Sequence, residues 1–160
     1  MSELTQSERL MLARCFEIQA LVTRKVLAAG LEFSTVGPDG MSELNDIVGC
    51  ESHRGQITFR WGITRDEDEG IKMSLQLIDI DDVGETIAHF IFSFDLYGSG
   101  DQPTWHGIAD IQPISILSQL PITEYLGLGP DLKELAPKGR DEALWMIDLM
   151  IETIGQVPPK

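Results

Sequence analysis

The feature that most constrains the fold is a change in the spacing of apolar residues near Gln56. Before this point apolar side chains recur every three or four residues, and after it they alternate with polar ones in four successive segments. Recurrence at three and four is typical of an amphipathic helix, whereas strict alternation is typical of a strand with one buried face. The sequence therefore predicts a long helix followed by a β-sheet.

The predicted N-terminal helix has a recognisable start and stop. Thr5 and Glu8 have the spacing of a capping box, in which each side chain accepts a hydrogen bond from the other residue's backbone amide. Gly30 suits the helix end, because glycine readily adopts a left-handed backbone there. The apolar stripe between them comprises Met11, Cys15, Ile18, Val22 and Val26.

The four alternating segments predict an antiparallel meander, since only short polar turns separate them. One face of that sheet is nearly all apolar and has to be covered by other parts of the chain. The residues predicted on that face are Ile57, Phe59, Trp61 and Ile63; Ile71, Met73, Leu75 and Leu77; Ala88, Phe90, Phe92, Phe94 and Leu96; and Trp105, Gly107, Ala109 and Ile111.

The cover is predicted to come from the N-terminal helix and from a strongly apolar helix between Arg140 and Gly155. Between Gln112 and Gly139 four prolines predict short helical pieces and loops, and a further short helix is expected from Ser42 to Val48. The predicted fold is one α+β domain over residues 1–160: a long N-terminal helix, a four-stranded antiparallel β-meander, and a helical C-terminal third packed on one sheet face.

The charge of the chain restricts its partners. Twelve Lys and Arg stand against 26 Asp and Glu, a net charge of −14, and residues 51–111 alone carry 4 basic and 12 acidic side chains. Nucleic acids and anionic membranes require cationic neutralisation, so neither is expected as a direct partner. A basic protein is the expected partner, although high acidity also serves solubility alone.

Eight of these twelve acids fall in two turns of the predicted meander. Counted from Asp79 as the first position, a calcium-binding loop needs oxygen ligands at its fifth and twelfth positions, which are Val83 and Phe90 here. A charged hairpin turn is therefore predicted rather than a metal loop. The predicted partner-binding residues are Asp66, Glu67, Asp68, Glu69, Asp79, Asp81, Asp82 and Glu85.

Other residues suggest alternative sites. Cys50 and His53 could supply two metal ligands or a nucleophile with its base, but a second Cys/His pair is missing from the sequence and an orienting group is not recognisable. A register with Asp95 opposite His106 would pair a carboxylate with an imidazole on the polar sheet face. The predicted alternative ligand face comprises Arg60, His89, Asp95, Tyr97 and His106. Neither a metal nor a cofactor is predicted.

The apolar C-terminal helix is either deeply buried or a surface for a second copy of the chain. A homodimer through this helix would use Trp145, Met146, Leu149 and Met150. The N-terminal segment resembles no signal peptide, and no apolar run reaches the ~18 residues of a membrane span, so a cytoplasmic protein is expected.

The sequence thus favours a small acidic, non-enzymatic binding protein that sequesters or inhibits a basic protein. Immunity proteins and phage inhibitors of host defence, including nucleic-acid mimics, share this size and charge, an analogy that rests on no motif. The alternatives are a small enzyme or ligand-binding domain using the polar sheet face, a structural homo-oligomer, and an acidic secretion chaperone.

Overall fold

The computed structural model describes residues 5–36, 45–66, 70–95, 104–128, 133–138 and 140–159. Its three α-helices are α1 (Gln6–Ala28), α2 (Pro121–Leu126) and α3 (Arg140–Gly155), and a 3₁₀ turn spans Ile116–Gln119. Its strands are β1 (Ser34–Val36), β2 (Asn45–Arg54), β3 (Ile57–Asp66), β4 (Gly70–Ile80), β5 (Thr86–Asp95), β6 (Thr104–Ile111) and β7 (Lys133–Lys138).

Helix α1 begins and ends as the sequence predicts. The Thr5 hydroxyl accepts a hydrogen bond from the Glu8 amide at 3.1 Å, and the Glu8 carboxylate accepts one from the Thr5 amide at 3.0 Å. These contacts satisfy two amides that have no acceptor within the helix. At the other end Gly30 has a φ of 76°, a backbone conformation that a residue with a Cβ rarely adopts.

The strands form one antiparallel sheet whose spatial order, β1 to β7, follows the chain. The predicted α+β class and antiparallel meander are confirmed, and the four predicted strands are β3 to β6. On β4, Ile71, Met73, Leu75 and Leu77 are buried while their neighbours are half-buried, as strict alternation requires.

The predicted count of four strands was too low, because β1, β2 and β7 extend the sheet to seven. The helix predicted from Ser42 to Val48 is also wrong where it overlaps β2. Strand β2 contains Gly49 and Ser52 and lacks a clear alternation, so pairing with β3 rather than local propensity determines it. Strand β7 is a short edge strand containing Pro137, which is tolerated there because an edge leaves some amides unpaired.

Helices cover the apolar face of the sheet, as predicted. Helix α1 lies against β3 and β4, where the indole nitrogen of Trp61 donates a hydrogen bond to the Thr23 hydroxyl at 3.0 Å. Helix α3 contacts β3, β6, α1 and α2. Its buried Thr153 hydroxyl accepts from the Ile122 amide at 3.0 Å, which joins the start of α2 to α3. The opposite face is mixed, with polar side chains such as Ser74 and Gln76 beside Ile91 and Ile108.

Candidate functional site

The turn between β4 and β5 is a hairpin turn, which confirms the interpretation preferred for this acidic stretch. One carboxylate oxygen of Asp81 accepts hydrogen bonds from the amides of Val83 (3.0 Å) and Glu85 (2.9 Å). Gly84 has a φ of 88°, which a tight turn readily accommodates in glycine. Asp81 therefore shapes its own turn, whereas Asp82 and the Glu85 side chain point to solvent. Among the described residues no group of three metal-binding side chains is found.

Asp79 does not belong to the partner-binding set, because its side chain is buried. It is only 2% exposed, and its carboxyl oxygens accept hydrogen bonds from Gln56 Nε2 and Ser115 Oγ, both at 2.6 Å. The inclusion of Asp79 in the predicted acidic surface is therefore corrected. Its position two residues after Leu77 places it on the covered face of β4, so the alternation already contained this signal.

The other predicted acidic cluster begins at Asp66, whose backbone lies at the opposite end of the β3–β4 ladder from Asp79. Asp66 pairs with Gly70 at one end of the β3–β4 ladder, whereas Ile57 pairs with Asp79 at the other. A strand of this length separates the two ends by about 30 Å, so Asp66 and Asp79 do not belong to one compact site. Only the backbone of Asp66 is described, and Glu67, Asp68 and Glu69 lie outside the described residues.

The four residues predicted to form a homodimer contact have different environments. Met146, Leu149 and Met150 are 1%, 2% and 0% exposed, so they belong to the core of the chain itself. Trp145 is 50% exposed. The proposed dimer contact through all four residues is corrected accordingly, since three of them cannot reach another molecule while α3 stays packed.

Trp145 is surrounded by acids on the solvent-facing side of α3. The spacing of Asp141, Trp145, Asp148 and Glu152 is four, three and four residues, which aligns them along one helix face. All four are exposed, as is Glu142 beside them. We call these five residues the acidic α3 face. Sequence reasoning missed this surface, although the same spacing could have revealed it.

One residue of this surface also connects the two long helices. Lys25 of α1 donates to the Asp148 carboxylate at 2.6 Å, and the side chain of Asp148 remains 57% exposed. The pair lies at the border between α1 and the acidic α3 face. An exposed pair of this kind contributes about 0–1 kcal/mol to folding, so Asp148 remains able to interact with a further cation.

The polar sheet face does not have the predicted carboxylate–imidazole register. Asp95 pairs with Thr104, and His106 pairs with Ser93. An acid and a histidine do lie opposite each other on these strands, but they are Asp110 and His89. Of the remaining predicted ligand residues, Arg60 lies opposite Glu51 and Gln76, while Tyr97 lies outside the described residues.

Cys50 and His53 cannot act together, because they lie on opposite faces of β2. Cys50 is opposite Trp61 on the covered face, where it is 3% exposed and its sulfur accepts a hydrogen bond from Gln19 at 3.3 Å. Burial raises the pKa of the Cys50 thiol, although the contact with Gln19 opposes this effect. The thiolate, the form that binds metals and attacks substrates, is therefore disfavoured.

His53 has two polar neighbours on the other face. Its Nδ1 lies 3.0 Å from the Thr58 hydroxyl and its Nε2 lies 3.0 Å from Glu51 Oε1. A hydroxyl, an imidazole and a carboxylate in this order resemble a nucleophile, a base and its orienting group. The imidazole side chain is 57% exposed, however, so water competes for every one of these contacts. We interpret the His53–Thr58 contact as a cross-strand pair that supports the β2–β3 hairpin, with Glu51 as a neighbour of His53 on β2.

Comparisons with protein families, curated proteins and solved structures find no match to this chain. In the described part of the chain no helix is both long and apolar enough to cross a membrane. The candidate surface therefore rests on its own geometry: an exposed tryptophan within a row of carboxylates on a well-packed helix.

Proposed function

We propose that the protein is a non-enzymatic binding protein that sequesters or inhibits a basic protein through its acidic α3 face. The observation that carries this proposal is the position of Trp145, a half-exposed large side chain with Asp141, Asp148 and Glu152 along the same helix face. The site of action proposed with it is the cytoplasm of the producing cell or of a host.

Trp145 supports the proposal because an exposed tryptophan often contributes much of the binding free energy at a protein interface. Tryptophan is enriched among the few interface residues that supply most of the binding free energy, each worth at least about 2 kcal/mol. Its indole ring also attracts an Arg or Lys side chain stacked on its face. The buried residues next to it, Met146 and Leu149, hold α3 on the sheet, so little ordering is required on binding.

The surrounding acids support a basic partner over a neutral one. Four carboxylates on a helix about 24 Å long create a concentrated negative potential. Such a field accelerates encounter with a positively charged surface and is weakened by salt. The same field opposes symmetric pairing of two copies through this face, because the acids of one copy would approach those of the other.

Matched charge variants test this proposal. Affinity-tagged chains would be expressed in the source organism and recovered at low salt with any stoichiometric partner. Trp145→Ala should weaken the complex by about 30-fold or more, and Asp141→Asn with Glu152→Gln should weaken it and reduce its salt sensitivity. The control pair Glu32→Gln with Glu134→Gln removes the same charge from exposed positions outside the α3 face and the predicted acidic turns, and it should leave binding nearly unchanged.

Two outcomes would contradict the proposal. One is the recovery of no stoichiometric partner at low salt. The other is equal weakening by both charge-neutralising pairs, which would assign the effect to net charge rather than to the α3 face. Mimicry of nucleic acid is a special case of the same proposal, and it predicts that DNA or RNA competes with the chain for the partner.

A further inference from the structure

A cavity of about 680 Å³ lies between α1 and α3, on the same side of the sheet as both helices. Ligand sites in proteins commonly measure about 300–1,000 Å³, so this cavity can hold a small molecule. The cavity is distinct from the acidic α3 face. Leu144 and Ile147 line the cavity, whereas Trp145 is half-exposed on the outer face of the same helix.

The floor of the cavity is aromatic. Phe94 of β5 and Trp105 of β6 pair in register, and their ring centroids lie 4.8 Å apart. Trp105 also stacks on Phe92 with a centroid distance of 4.8 Å, so the floor continues into the core. An apolar chain placed on these rings would lose water contact without leaving a buried polar group unpaired.

The walls are aliphatic and are held in place by contacts at their ends. Leu21 of α1 and Leu144 of α3 line the two sides. The ion pair between Lys25 and Asp148 joins the helices at 2.6 Å. Toward the start of α1, Arg65 Nε of β3 donates to Glu8 Oε2 at 3.1 Å. Buried side chains fix both helices on the sheet, among them Val22 of α1 at 0% and Met146 of α3 at 1% exposure, so the cavity is formed before any ligand enters and the cost of binding is lowered.

The lining is cationic although the chain as a whole is strongly acidic. Arg14 and Arg24 both line the cavity, with Glu17 between them on α1, which makes the net charge of the lining +1 in a chain of net charge −14. Within the described residues neither guanidinium has a hydrogen-bond or ion-pair partner. A planar guanidinium with free donors favours a carboxylate, which it can bind through two parallel hydrogen bonds.

From this combination we propose that the cavity binds an anionic single-chain amphiphile, a carboxylate on an unbranched alkyl chain. The alkyl chain lies on Phe94 and Trp105, and the carboxylate contacts Arg14 or Arg24. This site is independent of the proposed docking of a basic protein, and either can hold without the other.

Calorimetric titration with defined probes tests the proposal. Octanoate, decanoate and dodecanoate, used below their micelle-forming concentrations, should bind at one site with affinity rising about fourfold for each added methylene. Dodecyltrimethylammonium has the same chain length and the opposite charge, and it should bind about tenfold to hundredfold more weakly. Non-specific attraction would give the reverse order, since the chain is acidic.

Substitutions locate the site. Arg14→Gln with Arg24→Gln should reduce dodecanoate affinity at least about tenfold while leaving dodecanol binding unchanged. Arg14→Gln and Arg24→Gln are also measured singly, and Arg9→Gln is the matched control for each, because Arg9 is an exposed arginine of the same helix that does not line the cavity. Leu144→Trp fills the cavity from a half-buried position and should abolish binding of both probes. If that variant fails to fold, Leu21→Trp fills the cavity from the opposite wall.

The proposal is overturned by any of three results. These are the absence of saturable dodecanoate binding, an affinity for the cationic probe equal to that for dodecanoate, and a loss of dodecanoate affinity in Arg9→Gln equal to that in the Arg14 and Arg24 variants. Loss of partner binding by Trp145→Ala with dodecanoate binding retained would support the separation of the two sites. Failure of the protein partner to appear leaves the calorimetric result unaffected.

Discussion

The carboxyl group of Asp79 on β4 accepts a hydrogen bond from the Ser115 hydroxyl at 2.6 Å, although 36 positions separate the two residues. The Ser115 hydroxyl in turn accepts from the Leu117 amide at 3.1 Å, which caps the 3₁₀ turn. Both side chains are buried, at 2% and 0% exposure. The contact between β4 and the segment that follows β6 therefore depends on the carboxyl group of Asp79.

Replacement of Asp79 by Ala should destabilise the fold. The change leaves the buried Ser115 hydroxyl and the Gln56 amide without their acceptor, and an unsatisfied buried polar group costs about 1–3 kcal/mol. The free energy of unfolding measured in urea should fall by about 2–4 kcal/mol. Asp82→Ala, at an exposed position three residues later, should change it by less than about 0.5 kcal/mol. Equal stability of the two variants would contradict this role for Asp79.

Glu8 should make the stability of α1 dependent on pH. Hydrogen bonding from the Thr5 backbone amide, followed by the Arg65 guanidinium, lowers the pKa of Glu8 below its ordinary value of 4.5. Because the pKa is lower in the folded chain, the stabilisation is present above the unfolded value and disappears as pH falls through the folded value. Glu8→Gln should therefore lower the urea midpoint near neutral pH and have little effect at strongly acidic pH. Glu17→Gln, on the same helix, provides the control, and a pH-independent effect of Glu8→Gln would contradict the prediction.

Gly62 should tolerate no side chain. A Cβ at this position would lie 2.8 Å from the Val48 carbonyl oxygen and 3.0 Å from the Gly49 Cα, both of them backbone atoms of β2. Gly62→Ala should lower the free energy of unfolding by about 1–3 kcal/mol through overpacking. Gly155→Ala is the contrast, since nothing lies within 4 Å of its Cβ, and it should be neutral or stabilising by up to about 1 kcal/mol. Thermal unfolding of the two variants tests both expectations, and equal melting temperatures would contradict them.

Cys50 should react slowly in the folded protein. The raised pKa of its thiol and its 3% exposure both oppose attack by a thiol reagent, which requires an accessible thiolate. A Cys15→Ala variant isolates Cys50, and its modification should be slow near pH 8 and become fast once urea unfolds the chain. Rapid modification of the native variant at the rate of a free thiol would contradict the buried environment of Cys50.

The parts of the fold that were predictable are those that local periodicity determines. The capping box at Thr5 and the alternation from Ile57 to Ile111 identify α1 and the central strands without tertiary information. Strand β2 was not predictable in this way, because it forms by pairing with β3. The expected helix over Ser42–Val48 is wrong where it overlaps β2 for the same reason, since pairing with a neighbouring strand overrides a weak helical propensity.

The candidate site was less predictable, because it depends on which side chains the packing exposes. An aspartate is usually a surface residue, so composition alone predicts an exposed Asp79, whereas the alternation along β4 places it on the covered face, where Gln56 and Ser115 donate to it. Trp145 and Met146 are adjacent in an apolar run, yet one is 50% exposed and the other 1%. The spacing of the acids on α3 indicates which helix face is exposed, but the apolar run alone does not show that Trp145 belongs to that face.

The central claim, a basic partner docked on the acidic α3 face, is tested most directly by photo-crosslinking in the source organism. A benzophenone amino acid would replace Gln156, which is exposed and lies 3.4 Å from Glu152, so that Trp145 is retained; a control would carry it in place of Tyr125, which is 59% exposed on α2. We predict a crosslink to one basic protein from position 156, lost at high salt and much weaker from position 125. Equal crosslinking from both positions, or a crosslinked protein without a basic surface, would contradict it.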